Sequence, residues 1–176
     1  MTKKPMMMAV AAVAAAFGAW GATETVGDYT WIYRINGDTA EIYNGYSPSI
    51  SPKPTGAVTI PSTLGGKPVT SIGEYAFEGC SGLTSVMIPN SVTSIGEFAF
   101  EGCSGLTSVT IPNSVTSISM SAFYTCKNVT DVVVPGWSCK IPFDAVTNLV
   151  ISDGTPSIRD RAFSGCSGLT AVTIPD

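Results

Sequence analysis

The stretch Val69–Ser91, VTSIGEYAFEGCSGLTSVMIPNS, is followed without a gap by Val92–Ser114, VTSIGEFAFEGCSGLTSVTIPNS. The two differ only where Tyr75 becomes Phe98 and Met87 becomes Thr110. Self-similarity at a period between about 20 and 50 residues marks an array of units, each too small to bury its own apolar side. The fold class that follows is a repeat solenoid of short parallel β-strands joined by irregular or short helical turns. Working outward, Val115–Trp137 is a third unit of 23 residues, Ser138–Gly154 a shortened one of 17, and Thr155–Asp176 a last of 22. Upstream, Ala57-Val58-Thr59-Ile60-Pro61 matches the end of a unit, so the solenoid is expected over 57–176.

Within each unit, Leu-x-x-Val-x-Ile-Pro alternates with the period of a strand. Val86/Ile88, Val109/Ile111, Val132/Val134, Leu149/Ile151 and Val172/Ile174 form the inward series. Pro89, Pro112, Pro135 and Pro175 end the strands, because proline has no N–H for the ladder. The outward residues are Ser85/Met87, Ser108/Thr110, Asp131/Val133, Asn148/Val150 and Ala171/Thr173. Stacking does not dictate these, so they form the candidate binding face. A ladder of hydroxyls and methyls suits broad contact with a protein or glycan, and small β-formers equally suit a bare exposed sheet.

The segment Ile72-x-x-x-Ala76-Phe77 has the spacing of a helical turn or an irregular loop. Its repetition places Phe77, Phe100, Phe123 and Phe163 in one aromatic core column. Cys80, Cys103, Cys126 and Cys166 share another repeat position, which reads as a buried thiol column. Their intervals of 23, 23 and 40 residues do not converge on one point as metal ligands must, so no metal site is expected. Cys139 stands outside the column, and a disulfide involving it stays open in an oxidising compartment.

The run Leu-x-x-Val-x-Ile-Pro-x-Ser-Val-x-x-Ile-Gly-x-x-Ala-Phe-x-x-Cys resembles the BspA-like class of bacterial leucine-rich repeats, over Ala57–Asp176. Only the first two full units carry the whole motif. Ser119 replaces its Gly in the third, the short unit lacks the Ala-Phe-x-x-Cys spacing, and Arg159 departs from it in the last. The resemblance implies a curved solenoid with a parallel sheet lining one face. It also implies a secreted or surface protein, of a class in which some members bind host matrix proteins or other cells.

Ahead of the repeats, Lys3-Lys4, the apolar run Met6–Phe17 and the small residues to Ala22 describe a secretory signal peptide over 1–22. Read as a membrane anchor, 12 apolar residues reach only about 18 Å as a helix, short of a ~30 Å bilayer core. Residues 23–56 read as a β-hairpin cap and a Pro/Ser-rich loop. Tyr29, Trp31, Tyr33 and Ile35 share one strand face, Asn36-Gly37 supplies the turn, and Thr39–Tyr43 returns. Such a hairpin is not stable alone and is expected to cover the first end of the stack. Nothing resembling a cap follows Thr155–Asp176, which suggests a fragment of a longer array or an end-to-end contact through the last repeat.

The chain contains no histidine, which removes Ser-His-Asp and Cys-His catalysis and the commonest transition-metal ligand. Glu74/Glu97 and Glu78/Glu101 recur in repeat register and could be mistaken for paired catalytic acids, but exposed turns favour solvated charge. Tyr75 and Phe98 form a second candidate patch, with packing between turns as the competing reading. Removing Lys3 and Lys4 leaves 7 basic against 13 acidic residues, a net charge of 7 − 13 = −6, which disfavours nucleic acid and anionic membranes. The reading is a secreted or cell-surface binding or adhesion module. It takes an extracellular protein or glycan, needs no cofactor, and has no membrane span once the leader is removed. A structural spacer is the alternative and an extracellular hydrolase the remote one.

Overall fold

The computed structural model describes residues 21–45, 47–135, 146–155, 157–158 and 167–175. Residues 1–20 of the expected leader, Cys139, Phe163 and Cys166 lie outside these residues. No helix is long and apolar enough to cross a membrane among the described residues. Among the described residues fourteen strands follow one another: β1 (Ala22–Val26), β2 (Tyr29–Asn36), β3 (Thr39–Ile42), β4 (Ile50–Ser51), β5 (Gly56–Thr59), β6 (Thr63–Leu64), β7 (Lys67–Ile72), β8 (Leu83–Met87), β9 (Ser94–Ile95), β10 (Ser108–Thr110), β11 (Ser117–Ile118), β12 (Asp131–Val134), β13 (Asn148–Ile151) and β14 (Ala171–Thr173).

They form two main sheets, one more than the single strand per unit had suggested. The first runs β1-β2-β3-β7-β9-β11, with β4 beside β2 and β6 beside β7. The second runs β5-β8-β10-β12-β13-β14 and is parallel throughout. Each full coil therefore passes through both sheets, with Val-x-Ile in one and Ser-Ile in the other. Between successive coils the first sheet pairs only Ser71-Ile72, Ser94-Ile95 and Ser117-Ile118, in register.

The segment from Ile72 to Phe77 is irregular; among the described residues it contains no helix. A helical turn fails there for two reasons. Ile72 is held in the ladder, and Tyr75 and Phe98 adopt φ of 56° and 53°, outside the right-handed helical region. Close packing of coils also demands glycine ahead of them. At Gly96 a β-carbon would sit 3.0 Å from the Glu74 nitrogen and 3.1 Å from the Gly73 carbonyl carbon.

The core lies between the sheets. Val86, Val109 and Val132 face Ile72 and Ile95 across it, all nearly or fully buried. Through the middle runs the phenylalanine column. The rings of Phe77 and Phe100 stack at 4.9 Å and those of Phe100 and Phe123 at 4.8 Å, within 9° and 2° of parallel. That spacing is the separation of neighbouring strands, so the aromatic stack is a consequence of the coil repeat. Beside it Cys80, Cys103 and Cys126 are buried and free.

Two threonine ladders clamp the corners. Thr93 gives its N–H (2.8 Å) and its hydroxyl (3.1 Å) to the Thr70 carbonyl, and Thr116 does the same to Thr93 at 2.8 and 3.4 Å. At the opposite corner Thr107 bonds Thr84, Thr147 bonds Thr130, and Thr170 bonds Thr147, each through both groups. Threonine thus satisfies a turn carbonyl twice where the sheet hydrogen bonding is sparse.

The N-terminal region is a three-stranded meander, with β1 and β3 both antiparallel to β2. Strand β1 begins at Ala22, the last residue assigned above to the leader, which pairs with Tyr33. The hairpin turn is one residue later than expected. Asn36 pairs with Thr39, so Gly37-Asp38 are central, with Gly37 at φ 62° in the first position as a type II′ turn requires. Gly27-Asp28 makes the same kind of turn between β1 and β2. Strand β3 then pairs parallel to β7, and the Trp31 ring meets Phe77 edge-on at 6.0 Å.

Candidate binding face

The parallel register of the second sheet turns the outward residues into two rows. One row reads Ala57, Ser85, Ser108, Asp131, Asn148 and Ala171. The other reads Thr59, Met87, Thr110, Val133, Val150 and Thr173. All ten residues read from the sequence as outward on the strands lie in these rows. Ala57 and Thr59 extend them by one strand. Their signal was the match of Ala57–Pro61 to a repeat end, which set the start of the solenoid but was not carried to the face.

The rows differ in chemistry. The second is methyl-rich, with Met87 64% exposed and Val150 38% exposed. The first is hydroxyl and amide, and Asp131 is its only charge. Thr130 donates its hydroxyl to one Asp131 carboxylate oxygen at 2.7 Å, and Asn148 donates its amide to the other at 2.8 Å. These two bonds hold the Asp131 carboxyl below its ordinary range, the Thr130 bond contributing most. The carboxylate is thereby fixed in orientation at the middle of an otherwise neutral sheet.

The other sequence candidates are placed elsewhere. The thiols of Cys103 and Cys126 donate to the carbonyls of Phe77 and Phe100 at 3.2 and 3.0 Å, so the column is hydrogen-bonded core. Burial pushes the Cys80 thiol up to about 11. Cys103 is raised as well, by its hydrogen bond with the neighbouring Cys126 thiol and by burial. Protonated buried thiols are poor nucleophiles. Among the described residues no three His, Cys, Asp or Glu side chains come together in a way that could hold a metal ion. Tyr75 and Phe98 stack at 5.4 Å on the turns, and Tyr124 meets Phe98 edge-on at 6.1 Å.

A family model described as the BspA type leucine rich repeat region matches residues 56–145 and 142–176, in six copies. The chain belongs to this BspA-type family. Among solved structures, a leucine-rich repeat protein from Bacteroides ovatus is 31% identical with a TM-score of 0.59, over 86% of this chain and 41% of that one. A leucine rich cell surface protein from Faecalibacterium prausnitzii is also 31% identical, with a TM-score of 0.50, over 87% of this chain and 42% of its own. The T. pallidum leucine-rich repeat protein is 26% identical with a TM-score of 0.51, over 81% of this chain and 78% of that one. This BspA-type chain thus spans about two fifths of the length of the first two relatives. No curated protein matches it. The family match begins at Gly56, where β5 opens the second sheet, so the repeats and the two rows coincide.

Proposed function

We propose that this chain is a non-catalytic binding module, secreted or held at the cell surface, which takes an extracellular protein or glycan on the outward rows of its second sheet. The observation that carries this reading is the pairing of a methyl-rich row with a hydroxyl and amide row across six strands in register. A flat surface of that kind offers apolar contact and hydrogen bonding side by side, as protein and glycan contacts require. The 64% exposure of Met87 adds support, since an adaptable thioether on an open face is a common contact residue. The histidine-free sequence supports the non-catalytic part. The cell-surface part draws on the apolar leader-like start and on the F. prausnitzii relative, whose description is of a cell surface protein.

The test is binding of the purified chain to immobilised matrix proteins and glycans, beside Met87→Glu and Asp131→Lys. Saturable binding that both substitutions weaken, with unchanged melting, is the expected result. Binding indifferent to both would move function off this face, and a well-folded chain that binds nothing on the panel would favour a spacer.

A further inference from the structure

A second surface stands apart from the two rows. Its centre is the line of rings Tyr75, Phe98 and Tyr124 on the turns that lead from the first sheet to the second. The first two rings stack face to face, 8° from parallel, and Tyr124 continues the line edge-on and is 58% exposed. The coil repeat alone does not account for the third ring. In the third unit the position of Tyr75 and Phe98 is Ser121, and the ring comes instead from the position of Glu78 and Glu101. The ridge is therefore continued across three coils by two different sequence positions.

Four carboxylates border it. Backbone bonds from Tyr75 N–H to the Glu97 carbonyl (3.2 Å) and from Gly79 N–H to the Glu101 carbonyl (2.7 Å) bring successive turns into contact. Glu74 is thereby set beside Glu97, and Glu78 beside Glu101. Like charges in adjacent register repel. Burial first, and then the negative charge of Glu74, Glu101, Glu78 and Glu97, pushes the Tyr75 phenol up. None of the four has a side-chain hydrogen bond or ion pair among the described residues, where the ion pairs are Arg34–Glu41 and Lys67–Asp38. The nearby Lys53 ammonium is turned to the Gly79 carbonyl, 3.2 Å away.

We propose that this ridge docks an arginine- or lysine-rich segment of a partner protein, the rings taking its aliphatic stems and cations and the glutamates its charge. Guanidinium and ammonium groups are drawn to aromatic rings and to carboxylates alike, so one chemistry satisfies both halves of the surface. The proposal does not rest on the sheet-face reading, since none of its residues lies in the two rows.

The experiment is titration of the full chain with labelled hexa-arginine peptide at low and at physiological salt. Two charge-matched variants are compared, Glu74→Gln/Glu78→Gln/Glu97→Gln/Glu101→Gln on the ridge and Glu24→Gln/Asp28→Asn/Asp38→Asn/Asp153→Asn elsewhere. The ridge variant should bind about tenfold more weakly while the other stays within about twofold of the parent, with the difference shrinking in salt. Tyr124→Ser, at an exposed position, should cost about threefold by removing a cation–ring contact. Equal weakening by both charge sets, or a parent that does not bind the peptide, overturns the proposal. Unchanged melting of each variant excludes misfolding as the cause.

Discussion

The first two full coils and the third share a length and a core column, but among other differences they part company at five positions of one stretch. Where the first two have Gly, Glu, Tyr or Phe, Glu and Gly, the third has Ser119, Met120, Ser121, Tyr124 and Thr125. The consequences fall on one sheet. Ile72 and Ile95 are fully buried on the first sheet, whereas Ile118 is only partly covered. The inter-coil bond made by Gly73 and Gly96 at 2.8 Å is 3.0 Å at Ser119. The second sheet is indifferent to this, for Val132, Val134, Leu149 and Ile151 remain buried through β12 and β13. Among the described residues the first sheet ends at β11, and the segments that would follow it lie largely outside them, while the second continues to β14. The Val-x-Ile strands thus keep their burial where the turns diverge.

The largest effect concerns the meander that precedes these coils. Trp31→Ala should cost about 3–5 kcal/mol in chemical denaturation, because it uncovers the outer face of Phe77. A loss below about 1 kcal/mol would mean that the meander is not a cover for the stack. Next, Gly96→Val should convert the second coil toward the third and beyond it, destabilising by about 1–3 kcal/mol through backbone overcrowding. Its amide exchange should rise at Ser94-Ile95 and not at Ser108–Thr110. Equal loosening of both sheets would contradict the separation drawn here.

Alkaline titration comes third. Cys80 has a folded pKa raised from 9.0 to about 11, so the protonated thiol's contribution is complete below pH 9 and is lost as pH rises toward 11. The urea midpoint should fall over that window, and Cys80→Ala should remove part of the slope. The smallest effect is at Thr125, a β-branched residue at φ 63° where the earlier coils have glycine. Thr125→Gly relieves about 1–2 kcal/mol of backbone strain and forfeits hydroxyl bonds to the Gly102 N–H and the Tyr124 carbonyl. A net gain below about 1 kcal/mol is expected from paired melts, and a clear loss would show that the hydroxyl matters more than the strain.

Much of this was legible in the chain itself, because repetition converts one position into a column. Phe77, Phe100 and Phe123, the cysteines beside them and the outward residues of β8, β10 and β12 all follow from a 23-residue offset. What repetition cannot convey is the conformation inside a unit. Two-residue strands such as Ser94-Ile95 carry too little alternation to register as strands, and their neighbours Tyr75 and Phe98 are residues seldom found at positive φ. Strand β1 was hidden for another reason, since Ala22-Thr23-Glu24 also reads as the polar exit of a leader. The threonine ladders escaped notice because a hydroxyl bond to the previous coil leaves no trace in hydropathy.

The coils are held together through one continuous core, and Phe100 sits at its centre with a ring stacked on each side. Equilibrium denaturation of Phe100→Ala against the parent tests this most directly. A loss of about 3–5 kcal/mol with a single cooperative transition is predicted. A midpoint unchanged from the parent would contradict the stacked core.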